Sequence, residues 1–127
     1  MAGDEAPLPP PGDPAPELRG VSNPHVVDLV ALDRETGEVM LLMLEERPFG
    51  SDPAQLRQLE GKLNSYLSYV LDGFLAEQYP QYAGLRVRFQ LDCATPPREE
   101  ERPFLTAARN FAAAEGIRFV VNPTPRA

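Results

Sequence analysis

The apolar positions of this chain switch between a period of two and a period near 3.6, and each switch marks a predicted element. Residues 26–32, "VVDLVAL", and 38–46, "EVMLLMLEE", have strand composition. Between them "DRETGE" supplies Gly37 for a positive φ, which predicts an antiparallel hairpin turning at Glu35–Thr36. The second strand is apolar at successive positions from Val39 to Leu44, so it is expected inside the sheet. Asp52, Pro53 and Gln55 then predict a helix start with a capping box. Leu56, Leu59, Leu63, Tyr66, Leu67, Val70, Phe74 and Leu75 follow at three- and four-residue steps, predicting one helix that lasts to Tyr79-Pro80. Gly73 inside it marks a kink or a close approach of helix to sheet.

Residues 85–93, "LRVRFQLDC", alternate: Leu85, Val87, Phe89, Leu91 and Cys93 on one face, Arg86, Arg88, Gln90 and Asp92 on the other. That pattern predicts a strand with one wet face. A second helix is expected from Pro103 to Glu115, burying Phe104, Ala108, Phe111 and Ala112 and ending at Gly116. "IRFVV", 117–121, reads as a last strand. The order is therefore β-β-α-β-α-β. Both helical connections are long enough to join parallel strands. The expected fold is α/β: a two-layer sandwich with a four-stranded mixed sheet and both helices on one face. The bare face would display Arg86, Arg88 and Arg118. Strand order does not follow from the pattern.

Composition changes the picture at the amino terminus. Fifteen prolines are present, and seven fall within residues 1–24, where the only sizeable aliphatics are Leu8, Leu18 and Val21. Ordering a residue costs roughly 1–2 kcal/mol, and this stretch has little to bury in return. Residues 1–24 are thus expected to form a disordered, acidic, proline-rich arm, residues 25–122 a single domain and residues 123–127 a tail. The arm lacks the basic start and apolar stretch of a signal peptide. The net charge of −7 argues against nucleic-acid or anionic-membrane binding, both of which need a basic surface. One cysteine, Cys93, fits a reducing compartment. Abundant Ala, Pro and Arg beside a single lysine, Lys62, point to a GC-rich bacterial genome, and the expected location is the bacterial cytoplasm.

The residues that could carry chemistry are few. With the hairpin in the expected register Asp28 pairs near Met43, with Glu45 diagonal to it on the same face, about 7–8 Å away. Asp28, Glu45 and Glu46 could then share a divalent cation. However, Arg47 stands where metal-dependent nucleases of this pattern carry a lysine, and arginine cannot deliver a base. The competing expectation is that Asp28 is an edge-strand charge and that Glu45-Glu46 mark a strand surfacing into water. His25, the only histidine, lies at the junction of arm and first strand, so one chain cannot assemble a multi-histidine site. Cys93 falls on the buried face and is expected to be an inert thiol. Lys62, outside any phosphate-loop pattern, is expected to be a solvated helix charge. Two contact surfaces remain: the arginine face, suited to a carboxylate- or phosphate-bearing partner, and tyrosines of the long helix and its exit, chiefly Tyr69 and Tyr82.

The segments "VVDLVALD", "MLEERPF", "LRQLEGKLNSYLSYVLDG", "YPQYAG", "LDCATPP" and "AAEGI" together resemble a family of small bacterial proteins known only as a domain of unknown function. The resemblance spans residues 25–121. It implies a stand-alone bacterial domain and transfers no site residue. The expected function is non-catalytic, by binding a protein partner or by self-assembly, without cofactor or membrane attachment. The alternatives are a metal-dependent phosphodiester-acting enzyme using Asp28, Glu45 and Glu46, and an antitoxin- or immunity-type protein neutralising a basic partner.

Overall fold

A computed structural model describes residues 20–23 and 26–124; the other residues of the expected arm and tail, and His25, lie outside the described residues. The chain builds β1 (Leu29–Asp33), β2 (Glu38–Glu45), α1 (Gln55–Leu71), α2 (Phe74–Gln78), a 3-10 turn (Pro80–Tyr82), β3 (Val87–Cys93), α3 (Arg102–Ala114) and β4 (Arg118–Pro123). The sheet order is β1-β2-β3-β4, with β1 antiparallel to β2 and the remaining pairs parallel. The mixed α/β sandwich is as expected, and the order that the pattern left open follows the chain.

The hairpin turn is made by Asp33, whose Oδ1 accepts the Glu35 and Thr36 amides while its carbonyl accepts from Gly37 at φ 76°. This locks Leu29 opposite Leu42, so one step further along the strand Asp28 lies level with Met43. Val39, Leu41, Met43, Val87, Phe89, Leu91, Cys93 and Phe119 form the covered sheet face and pack in one core with Leu59, Leu63, Tyr66 and Leu67 of α1 and Leu105, Ala108 and Ala112 of α3. Tyr66 meets Phe89 edge to face, ring centroids 5.6 Å apart.

Four details depart from the sequence pattern. Gly73 does not kink one helix; it ends α1 at φ 89°, its amide and that of Asp72 closing onto Val70 and Ser68 carbonyls, and α2 starts anew. The capping box is absent: Asp52 Oδ1 accepts from Ala54, and the Gln55 side chain turns back to the Gly50 amide and Pro48 carbonyl. Val21, assigned to the arm, is 1% exposed in the core, its amide bonded to the Leu44 carbonyl. On α3 the buried stripe is Leu105, Ala108 and Ala112, so Phe111 is 55% exposed where burial was expected. Small Ala108 and Ala112 let the helix sit close to the sheet, and Leu105 rather than a phenylalanine fills the space beneath. Among the described residues no helix is long and apolar enough to cross a membrane.

Candidate functional site

Asp28 and Glu45 both turn toward the helix-covered face, as the register requires, but they do not converge on a shared site. Asp28 Oδ1 accepts from Lys62 Nζ at 2.9 Å and from the Gly20 amide; Oδ2 accepts from the Leu44 amide. The solvated role expected for Lys62 is wrong: its side chain is 0% exposed. Its ammonium faces Asp28 and the carbonyls of Gly20, Asn23 and Val26 at 2.7–3.0 Å, more acceptors than it has hydrogens. Burial pulls the Lys62 pKa below the ordinary lysine value, and the Asp28 charge pulls it back up. The signal was present in the sequence: Lys62 occupies the i+3 position between Leu59 and Tyr66, on the apolar stripe. Nor is Asp28 an edge charge meeting water, since it is 2% exposed.

Glu45 is equally committed. It is 2% exposed, and Arg47 grips it with Nε on Oε1 and Nη2 on Oε2, both at 2.9 Å, while the Arg47 amide adds a third bond to Oε1. The strand therefore does not surface at Glu45 but one residue later, at exposed Glu46. A hollow of about 340 Å³ opens beyond the ends of the parallel strands, lined by Glu45, Glu46, Asp92 and Thr124. Asp92 Oδ1 there accepts from Gln90 Nε2 and Asn122 Nδ2. Among the described residues no three His, Cys, Asp or Glu side chains group closely enough to hold a metal ion.

The bare sheet face carries an ion network rather than a row of free arginines. Arg88 Nη1 bridges Asp33 Oδ2 at 2.8 Å and Glu38 Oε1 at 2.9 Å, and Arg118 clasps Glu38 through Nε and Nη2. Arg118 holds the Glu38 carboxyl down to about 2, with Arg88 assisting against the opposing effect of burial. Arg88 is 7% exposed and its Nε lacks an acceptor among the described residues, so its display to solvent is corrected. Arg86 and Arg118 do reach water. Apolar side chains share this face: Met40 lies beside Arg88, and Leu42 between Leu29 and Gln90.

Of the tyrosines, Tyr66 is core, as expected; its hydroxyl donates to the Leu42 carbonyl and accepts the Asp28 amide. Tyr69 is half-buried and its hydroxyl donates to Gln78 Oε1. Burial raises its pKa to about 12. Tyr82 stacks on Tyr79 with centroids 5.5 Å apart. Burial, then Asp92 and Glu45, push the Cys93 thiol up to about 12, in keeping with the inert role expected for it.

A feature missed by periodicity lies on the outer side of the helices. A groove of about 380 Å³ runs between α1 and α3, lined by Glu60, Leu63, Asn64, Phe104, Ala108 and Phe111. Asn64 also lines a second hollow, bounded by Ser68, Tyr69 and Phe74.

Residues 20–124 match a family described as a family of unknown function (DUF6572). The chain belongs to that family. The match begins at Gly20, whose amide donates to Asp28 Oδ1 and whose carbonyl accepts from Lys62 Nζ. No curated protein and no solved structure matches the chain.

Proposed function

We propose that this protein works by contact rather than by turnover, as a cytoplasmic bacterial domain that binds a protein partner or another copy of itself. The observation that carries this reading is the neutralisation of the inward carboxylates: Asp28 is held by Lys62 and Glu45 by Arg47, each at 2.9 Å. A carboxylate already bonded to a cation and to backbone amides must break those bonds before it can ligate a metal or take a proton, and removing one member of a buried pair costs roughly 3–5 kcal/mol. The surfaces left for contact are the rim of the bare sheet face at Arg86 and Arg118, the Tyr69–Tyr82 region, and the outer groove of the helical layer. Arg88 contributes to the first of these by fixing Glu38, which in turn orients Arg118.

The test is calorimetric titration of the full chain with Mg²⁺ and Mn²⁺. No saturable one-to-one heat is expected. A saturable heat that disappears in Glu45→Gln would replace contact with metal chemistry.

A further inference from the structure

On the outer side of the helical layer a few large apolar side chains stand exposed among polar ones such as Arg57, Glu60, Asn64 and Ser68. Phe111 on α3 and Phe74 at the start of α2 are 55% and 52% exposed, and Leu71 is 52% exposed. Each ring therefore still shows on the order of 100 Å² to water. Phe111 lines one hollow and Phe74 the other, with Asn64 lining both, so this region presents both projecting rings and hollows to receive them. A twofold-symmetric contact requires this: the same patch must supply knob and hole.

Charge selects the occupant. The chain carries a net charge of −7, so most pairings of two copies meet electrostatic repulsion. Among the described residues lining the two hollows, Glu60 alone is a carboxylate or cation, and Leu63, Phe74, Phe104, Ala108 and Phe111 make most of the rest apolar. A basic partner would find a single anion here, whereas a second copy finds an apolar surface nearly free of like charge. The α1–α3 face extends about 25 Å along α1 and roughly 20 Å across the two helices. That is about 500 Å² in projection, below the roughly 600–1,000 Å² that stable specific pairs bury on each side and in the range of weak, transient contacts.

We infer that the protein forms a twofold homodimer through the α1–α3 face, with Phe111 and Phe74 of each copy seated against the groove of the other. The inference rests on the contact reading above and names its partner. An interface this small is of the weak, transient kind, so association is sought at protein concentrations from about 1 to 100 μM.

Sedimentation velocity of the full chain across that concentration range is the experiment, run beside Phe111→Glu and Arg118→Glu. Wild type and Arg118→Glu are expected to shift from monomer to dimer together, and Phe111→Glu to weaken the association by about tenfold or more. Circular dichroism melts of each variant check folding; because Phe111 is exposed, its variant is expected to melt with wild type. Asn64→Cys adds a second readout, since Cys93 is buried: oxidation is expected to give a covalent dimer that Phe111→Glu suppresses. A monomer throughout the range, or a dimer that survives Phe111→Glu and fails with Arg118→Glu, overturns the inference. Neither result bears on the metal titration, by which the contact reading itself stands or falls.

Discussion

Lys62 Nζ and Asp28 Oδ1 lie 2.9 Å apart with both side chains fully withdrawn from water. Thirty-four positions separate them in sequence, and the pair fastens the segment that enters β1 to the middle of α1. Three carbonyls of that segment complete the ammonium's surroundings. The lone lysine thus acts as an internal tether, holding Val21 in the core beside the end of β2.

Replacing Lys62 by methionine keeps the apolar stem and strips Asp28 of its counter-charge. A loss of about 3–5 kcal/mol in urea unfolding is expected. In a cycle with Asp28→Asn the two losses should fall short of additive by about 1 kcal/mol or more, the mark of a direct pair. A Lys62→Met loss below about 1 kcal/mol would show that the tether is dispensable.

Tyr66→Phe removes one oxygen and leaves two buried groups without it, the Asp28 amide and the Leu42 carbonyl. The expected cost is about 1–3 kcal/mol, at nearly unchanged packing volume. Tyr82→Phe, at a half-buried stacked ring, serves as the comparison and should stay within about 0.5 kcal/mol of wild type. Equal losses in the two variants would contradict the role given to the Tyr66 hydroxyl.

Glu38 predicts the acid limb of stability. Its carboxyl is held from 4.5 down to about 2, chiefly by Arg118, so the folded state binds fewer protons than the unfolded chain in that window. Its contribution is present above pH 4.5 and is lost as pH falls toward about 2. Because the Arg118 side chain is 54% exposed, solvent screening limits this pair's effect to about 1 kcal/mol. Thermal melts from pH 5 to 2 should fall less steeply for Glu38→Gln than for wild type; identical slopes would remove Glu38 from the acid response.

Cys93 should be silent to a thiol reagent at pH 8 in the folded protein and react fully once urea unfolds the chain, since its folded pKa is pushed up to about 12. Rapid labelling of the native protein would mean that β3 opens far more readily than its packing implies.

What the residues settle alone is local. Alternation in "LRVRFQLDC" assigned the faces of β3 because side chains on a strand must alternate, and the position of Gly37 set a register that put Asp28 level with Met43. Periodicity likewise placed Leu59, Leu63, Tyr66 and Leu67 on the sheet side of α1. The family resemblance was legible as well, although the match extends to Gly20, earlier than the apolar pattern suggested.

Tertiary structure decided what depends on distant partners. Whether Lys62 is solvated or caged turns on carbonyls and a carboxylate that folding delivers from residues 20–28, and no helical period contains them. The same holds for Arg88, whose polar position in an alternating strand is compatible with water or with Asp33 and Glu38. On α3, Phe104, Leu105, Ala108, Phe111 and Ala112 allow more than one buried stripe. The choice of Leu105, Ala108 and Ala112 follows from the shape of the sheet beneath, since close packing admits the side chains that fit and turns the larger Phe111 outward.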